Sequence, residues 1–291
     1  MLTAAMSGGC RDPDQPVAIW LSTGVGPAQV VYPRAIARDA SRDEFIVIDR
    51  MARVQRIDRA GRFIAGWRMP DSALGKPVGV SIGPDGNIYV PDTHYHRVIV
   101  YAPDGTELRR WGRFGRGPGE FIFPTDVAFD SRGRVFVSEY GDHDRIQVFD
   151  RVGNFQFEFG SFGQGPGQFS RPQSIVIVGE EVFVADACNH RICVFTTEGK
   201  FVRNLGRAGS GPGEFRFPYG LDSDGRYLIV TEFGNNRVQK VDPLTGECLK
   251  TWGRPGRAPG ELAYPWASAV VGPAEIVVVD AGNNRLQVVR W

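Results

Sequence analysis

The sequence predicts an all-β chain folded as a six-bladed β-propeller of four-stranded antiparallel blades, its ring closed by an N-terminal strand that pairs with the C-terminal blade. Three observations predict it. A proline recurs at Pro33, Pro77, Pro124, Pro172, Pro218 and Pro265, at separations of 44, 47, 48, 46 and 47 residues. An acid ends a short β-branched run six times: Asp49, Asp92, Glu139, Asp186, Glu232 and Asp280. An arginine follows each acid by four to six residues: Arg53, Arg97, Arg145, Arg191, Arg237 and Arg285. A period near 46 residues that holds four strand-like runs is the size of one propeller blade.

Within a unit the elements follow in order. The run after the proline is the inner strand, and the run ending in the acid is the second. The run after the arginine, such as "RIQVFD" at 145–150, is the third. A glycine turn then leads to an outer strand that ends near an aromatic or Leu. A helix-pair repeat of similar length would need segments of 10–15 residues with a 3.6 period, and none is present. Gly, at 37 of 291, is close to twice its usual share of about 7 %, which suits many tight turns.

The sixth unit stops after its third strand. The missing strand is at the other end of the chain. Trp111, Phe159, Leu205 and Trp252 each precede their proline by 13 residues, and Trp20 precedes Pro33 by the same 13. The run 17–22 therefore reads as the outer strand of the last blade, which removes an open sheet edge. Residues 17–291 are expected to form the propeller and 1–16 a flexible tail.

That tail, "MLTAAMSGGC", is small and apolar and then meets a cysteine before a polar run. It resembles the end of a bacterial lipoprotein signal, with Cys10 as the lipid-bearing residue. On that expectation the chain is extracytoplasmic and lipid-anchored, and membrane contact comes only through Cys10. The apolar runs are a few residues long, far short of the roughly 20 a membrane helix needs. A net charge of +1 argues against a polyanion as obligatory partner. The four cysteines have no metal-ligand or redox spacing, and Cys188 and Cys193 are expected to be free thiols.

"GPGEF" at 117–121 returns as "GPGQF" at 165–169 and "GPGEF" at 211–215, with worn copies "APGEL" at 258–262 and "GPAQV" at 26–30. Gly admits φ > 0 and Pro fixes φ near −65°, so the element sets a defined turn between blades. A phosphate cradle would need a strand-to-helix context, which is missing. The element is expected to be architectural, with Phe121, Phe169 and Phe215 plugging gaps between blades. Blade 2 lacks it.

The stretches "DTHYHRV" at 92–98, "DACNHRI" at 186–192, "EFGNNRV" at 232–238 and "DAGNNRL" at 280–286 resemble NHL repeats. That resemblance covers nearly the whole chain after residue 17 and implies a six-bladed propeller. His96 and His190 fall where NHL repeats commonly carry His and are expected to be structural. Each acid and its arginine are expected to form a bidentate carboxylate–guanidinium pair that locks the turn between second and third strands. Glu139 and Glu232 replace Asp, so their turns should differ in shape.

The turns between second and third strands and the blade connections emerge on one face, where function usually lives. The expected binding face comprises His94, Arg113, Arg116, Tyr140, His143, Arg207, Phe233, Arg254 and Arg257. Its ligand is expected to be a protein or a small molecule, bound without catalysis or cofactor by a monomer. Arginines beside Tyr140, Phe114, Phe162 and Phe233 also suit single-stranded RNA, as in some NHL domains, and this is the lesser alternative. NHL-like enzymes supply a further one. The peptidyl-amidoglycolate lyases hold zinc through histidines, which would here involve His94, Asp126 and His143. The gluconolactonase-like hydrolases hold calcium in the channel, where Asp126 is the sole acid two residues after one of the six anchoring prolines.

Overall fold

The computed structural model describes residues 15–290. Cys10 and the anchor expected there lie outside the described residues. Six four-stranded antiparallel sheets stand around a central channel. Blade 3 is representative: Phe123–Phe129 innermost, then Val135–Tyr140, Arg145–Phe149 and Phe155–Phe159. In the last blade Ser268–Gly272, Glu275–Asp280 and Arg285–Arg290 are completed by Ala18–Trp20, in the register Ala18↔Val288, Ile19↔Gln287 and Trp20↔Leu286. The closure expected from the position of Trp20 is present.

The core lies between neighbouring sheets rather than within one. Trp20, Phe45, Val47, Ile57, Leu286 and Val288 form the seam where the last blade meets the first. Phe121, Phe169, Phe215, Leu262 and Val30, which follow the five blade-connecting turns, are fully buried in such seams. The turn between third and outer strands adds a contact. Gly61 has φ +75°, and a Cβ there would meet Trp20 of the last blade at 2.4 Å. Gly105, with φ +90°, meets Trp67 of blade 1 at 2.7 Å in the same way. These positions need both the left-handed conformation and the missing side chain.

The inner strands are tied to one another by side chains at the channel wall. The Ser81 hydroxyl donates to Val127 O at 2.5 Å, the Ser174 hydroxyl to Asp126 at 2.7 Å, and the Val270 N–H to Asp222 at 2.7 Å. Blade 2 departs from the repeat, with an inner strand of only Ser81–Ile82. Its segment at Gly79 runs so close to blade 3 that a Cβ would meet Thr125 O at 2.3 Å.

Candidate functional site

The acid–arginine pairs form in all six blades, at 2.5–2.9 Å. The expected bidentate geometry does not: Arg53 gives two N–H groups to a single Asp49 oxygen, and the other five arginines reach their acid through Nε alone. In blade 3, Arg145 Nε donates to Glu139 at 2.7 Å, while Nη2 donates to Gly117 O at 3.1 Å and Glu120 O at 3.0 Å. The guanidinium thus spans from the acid to the carbonyls of the GPG turn. Glu139 also accepts the Ile122 N–H at 2.6 Å, just past that turn. Gln147 completes the lock, accepting the Gly119 N–H at 2.8 Å and donating to Glu120 O at 2.7 Å. Blades 5 and 6 repeat the set with Arg237 and Gln239, and with Arg285 and Gln287. Blade 4 has Cys193 in place of the glutamine, as a free thiol 3.5 Å from Asp186. Blade 2 has Ile99 there and no such turn, and its Arg97 reaches Asp71 at 2.9 Å instead. The pair therefore fixes the blade connection, and the turn it springs from only secondarily. Burial raises the Glu139 and Asp186 carboxyls and lifts Asp92 to about 6, even though each faces its arginine.

The expected difference between Asp and Glu turns holds only in part: a 3₁₀ turn follows Asp92, Asp186 and Asp280 and is missing after Glu139 and Glu232, but it is missing after Asp49 as well. His96 and His190 are structural, as expected. Both are left-handed, at φ 58° and 56°. His190 Nδ1 accepts the Phe217 N–H of the next blade at 3.1 Å, and His96 Nδ1 meets Ile122 O. Asn236, Asn284 and Asp144 hold Tyr264, Tyr32 and Arg171 by their N–H groups in the same manner.

The predicted binding residues separate into groups. Arg113, Arg207 and Arg254 are neutralised by Glu120, Glu214 and Glu261, seven residues on in each GPG turn. Arg116 and Arg257 make no side-chain ion pair or hydrogen bond among the described residues. Phe114 and Phe162 project from two adjacent turns at 68 % and 58 % exposure. His94 packs on Phe123 at 5.6 Å, and burial with the nearby Lys76 and Arg34 charges lowers its pKa. The charged groups acting on His143 are Arg145, Glu158 and Arg116. Among the described residues no three His, Cys, Asp or Glu side chains gather as a metal-binding group.

The channel holds a cavity of about 810 Å³, walled by the inner strands. Asp126 faces it from blade 3 and Asp222, which the repeat did not single out, from blade 5. Deep desolvation lifts each carboxyl to about 6. An unfolded Asp titrates near 3.9. Between about pH 4 and 6 the folded state therefore binds more protons, so these groups lower stability as pH rises through that window. Their cost levels off above it, at about 3 kcal/mol each. An Asp126→Asn, Asp222→Asn variant should gain stability over the parent at pH 7.5 but little at pH 4, by urea unfolding at both. A gain independent of pH would refute the linkage.

Sequence reasoning also missed the upper mouth of the channel. Arg34, Gln173, Tyr219 and Trp266 each follow the anchoring proline, and Arg171 precedes it. Tyr219 and Trp266 pack at 4.9 Å, with Phe233 stacked on Tyr219 at 4.7 Å. Arg34 lies over Trp266 at 4.7 Å, and Arg171 over Tyr140 at 4.9 Å. The departures among residues flanking the prolines were the available signal.

A family model described as a 6-bladed beta-propeller matches residues 168–251. NHL repeat-containing protein 3 of Homo sapiens is 37 % identical over 78 residues, covering 26 % of this chain and 22 % of that protein. Peptidylglycine alpha-amidating monooxygenase of Rattus norvegicus is 39 % identical over 85 residues, covering 27 % and 9 %. The chain thus spans less than a quarter of the length of these relatives. Among solved structures, a streptogramin B lyase superposes with TM-score 0.62 at 16 % identity, covering 94 % of this chain and 86 % of that one. A protein of unknown function from Bacteroides thetaiotaomicron gives 0.69 at 18 %, covering 92 % and 72 %. These identities speak for the fold alone.

Proposed function

We propose that this chain, an NHL-type six-bladed β-propeller, is a non-catalytic scaffold that binds a protein on the face bearing the blade connections. The observation that carries the reading is the pair Phe114 and Phe162, exposed on turns whose backbones are held from beneath by Arg145 and Arg191. Exposed aromatics on pre-fixed backbone suit a docking surface, because little conformational entropy remains to be lost on binding. The internal pairing of Arg113, Arg207 and Arg254 lessens the net charge available to a nucleic-acid backbone.

The test compares quantitative cross-linked capture from the native source extract by three forms: the wild type, Phe114→Ser with Phe162→Ser, and Val152→Ser with Leu244→Ser. The last pair is equally exposed but lies on the turns of the opposite face. Proteins held by the wild type should be depleted at least tenfold by the first variant and retained by the second. Equal retention by all three forms, at unchanged Tm, would remove the proposal.

A further inference from the structure

We propose that the upper mouth of the channel is a binding site for a carboxylate carried on an aromatic or apolar body, seated between Arg34 and Arg171 over the Tyr219–Trp266 pair. The site is separate from the Phe114–Phe162 rim, so either reading can fail without the other.

Charge supplies the first reason. Buried and half-buried arginines elsewhere in the ring are matched to carboxylates, as Arg145 and Arg237 are, or, for Arg109, to neutral acceptors at 2.7–3.1 Å, and the unpaired Arg116 and Arg257 are exposed to water. Arg34 and Arg171 are half-buried and have no carboxylate partner among the described residues. The sole polar contact of Arg34 is Nη1 to Lys76 O at 3.4 Å, and its Nε is buried with no acceptor. The Arg171 guanidinium donates only to the Gln173 amide oxygen, at 3.3 Å. Desolvation lowers the Arg34 pKa, with the neighbouring Arg50 and Arg171 charges acting in the same direction. A desolvated guanidinium without a counter-ion is unfavourable, and a bound anion relieves it.

Unused donors supply the second. Gln173 Nε2 and Trp266 Nε1 line the channel at 2 % and 7 % exposure and have no partner. Buried donors are normally paired, and a carboxylate can accept several at once. Tyr219, Trp266 and Phe233 form the apolar wall beside them.

Backbone strain supplies the third. Tyr32, Arg171, Phe217 and Tyr264 each stand immediately before a proline, yet hold φ of 50°, 61°, 49° and 50°. That region is unfavourable for non-glycine residues, and helical ψ before proline is disfavoured too. Each is clamped in place by Asn284, Asp144, His190 or Asn236 of the preceding blade. Strain of about 1–3 kcal/mol per residue persists where surroundings over-determine it, often at ligand sites. Deeper in the channel Asp126 and Asp222 oppose full entry of an anion, so the carboxylate stays at the mouth.

The probes are benzoate, its neutral analogue benzamide, and the capped peptides acetyl-Gly-Asp-Phe-amide and acetyl-Gly-Asn-Phe-amide, titrated at low salt with NMR detection. Benzoate or the Asp peptide should bind at least tenfold tighter than its neutral counterpart. Tighter binding of the Asp peptide than of benzoate would assign the carboxylate to a polypeptide, and the reverse to a free small molecule. Arg34→Gln with Arg171→Gln should abolish the preference. Trp266→Phe, which keeps one aromatic ring and deletes the indole N–H together with the five-membered ring, should weaken it severalfold, measured well below the Tm of the variant. Equal affinity for charged and neutral probes, or a preference that survives Arg34→Gln with Arg171→Gln but falls in Arg116→Gln with Arg257→Gln, would overturn the assignment.

Discussion

Arg145→Ala should destabilise the fold by about 3–5 kcal/mol, the cost of stranding one member of a buried ion pair. Glu139 is 0 % exposed and Arg145 1 %. Removing the guanidinium leaves that carboxylate without its cation and the carbonyls of Gly117 and Glu120 without one donor each. At roughly 2–4 °C per kcal/mol for a large domain, the loss corresponds to a fall in Tm on the order of 10 °C. Arg113→Ala is the control. Its bridge to Glu120 is a comparable 2.9 Å long, but the arginine side chain is 81 % exposed, so the expected cost is about 0–1 kcal/mol. A third variant, Arg145→Met with Glu139→Met, should lose less than Arg145→Ala, because no lone charge is left behind. Equal losses from Arg145→Ala and Arg113→Ala would mean the guanidinium does not hold the blade connection.

Trp20→Ala should cost about 3–5 kcal/mol, as expected for truncating a buried aromatic. Trp20 packs against Phe45 of the first blade with ring centroids 5.4 Å apart and covers Gly61. It belongs to the closing strand, which pairs only with Arg285–Arg290. Loss of its anchorage exposes the edge of that strand, an invitation to intermolecular pairing. The variant is therefore expected to self-associate on mild heating, by light scattering, well before Trp67→Ala, whose ring sits in an uninterrupted blade. Identical behaviour of the two variants would deny the N-terminal strand any special place.

The period was legible because proline, acid and arginine each occupy a position with a fixed structural duty. Trp20 was legible for the same reason, through its spacing to Pro33. The role of the arginines was read only in part. A hydrogen bond to a main-chain carbonyl leaves no partner residue type in the sequence, so the reach of Arg145 to Gly117 O and Glu120 O was invisible. The pairing of Arg113 with Glu120, Arg207 with Glu214 and Arg254 with Glu261 was visible in principle, since a spacing of seven recurs across each turn. The mouth was hidden for a different reason. That Arg34 and Arg171 lack counter-ions is a property of their surroundings in three dimensions, built from residues far apart in the chain. The short inner strand of blade 2 follows from what its connection lacks: neither the GPG turn nor the locking glutamine is there to set it.

Ring closure by the N-terminal strand is tested most directly by a cross-link at the pair Ala18 and Val288. Directly opposed residues of an antiparallel pair have Cα atoms about 4.5–5.5 Å apart, within the range a disulfide spans. With Cys10, Cys188 and Cys248 changed to Ser and Cys193 to Ala, Ala18→Cys with Val288→Cys should oxidise to a single intramolecular bond. The product should migrate faster in non-reducing gels and melt higher than its reduced form. Persistence of two free thiols under oxidation, or bonds only between separate chains, would contradict a ring closed by its own first strand.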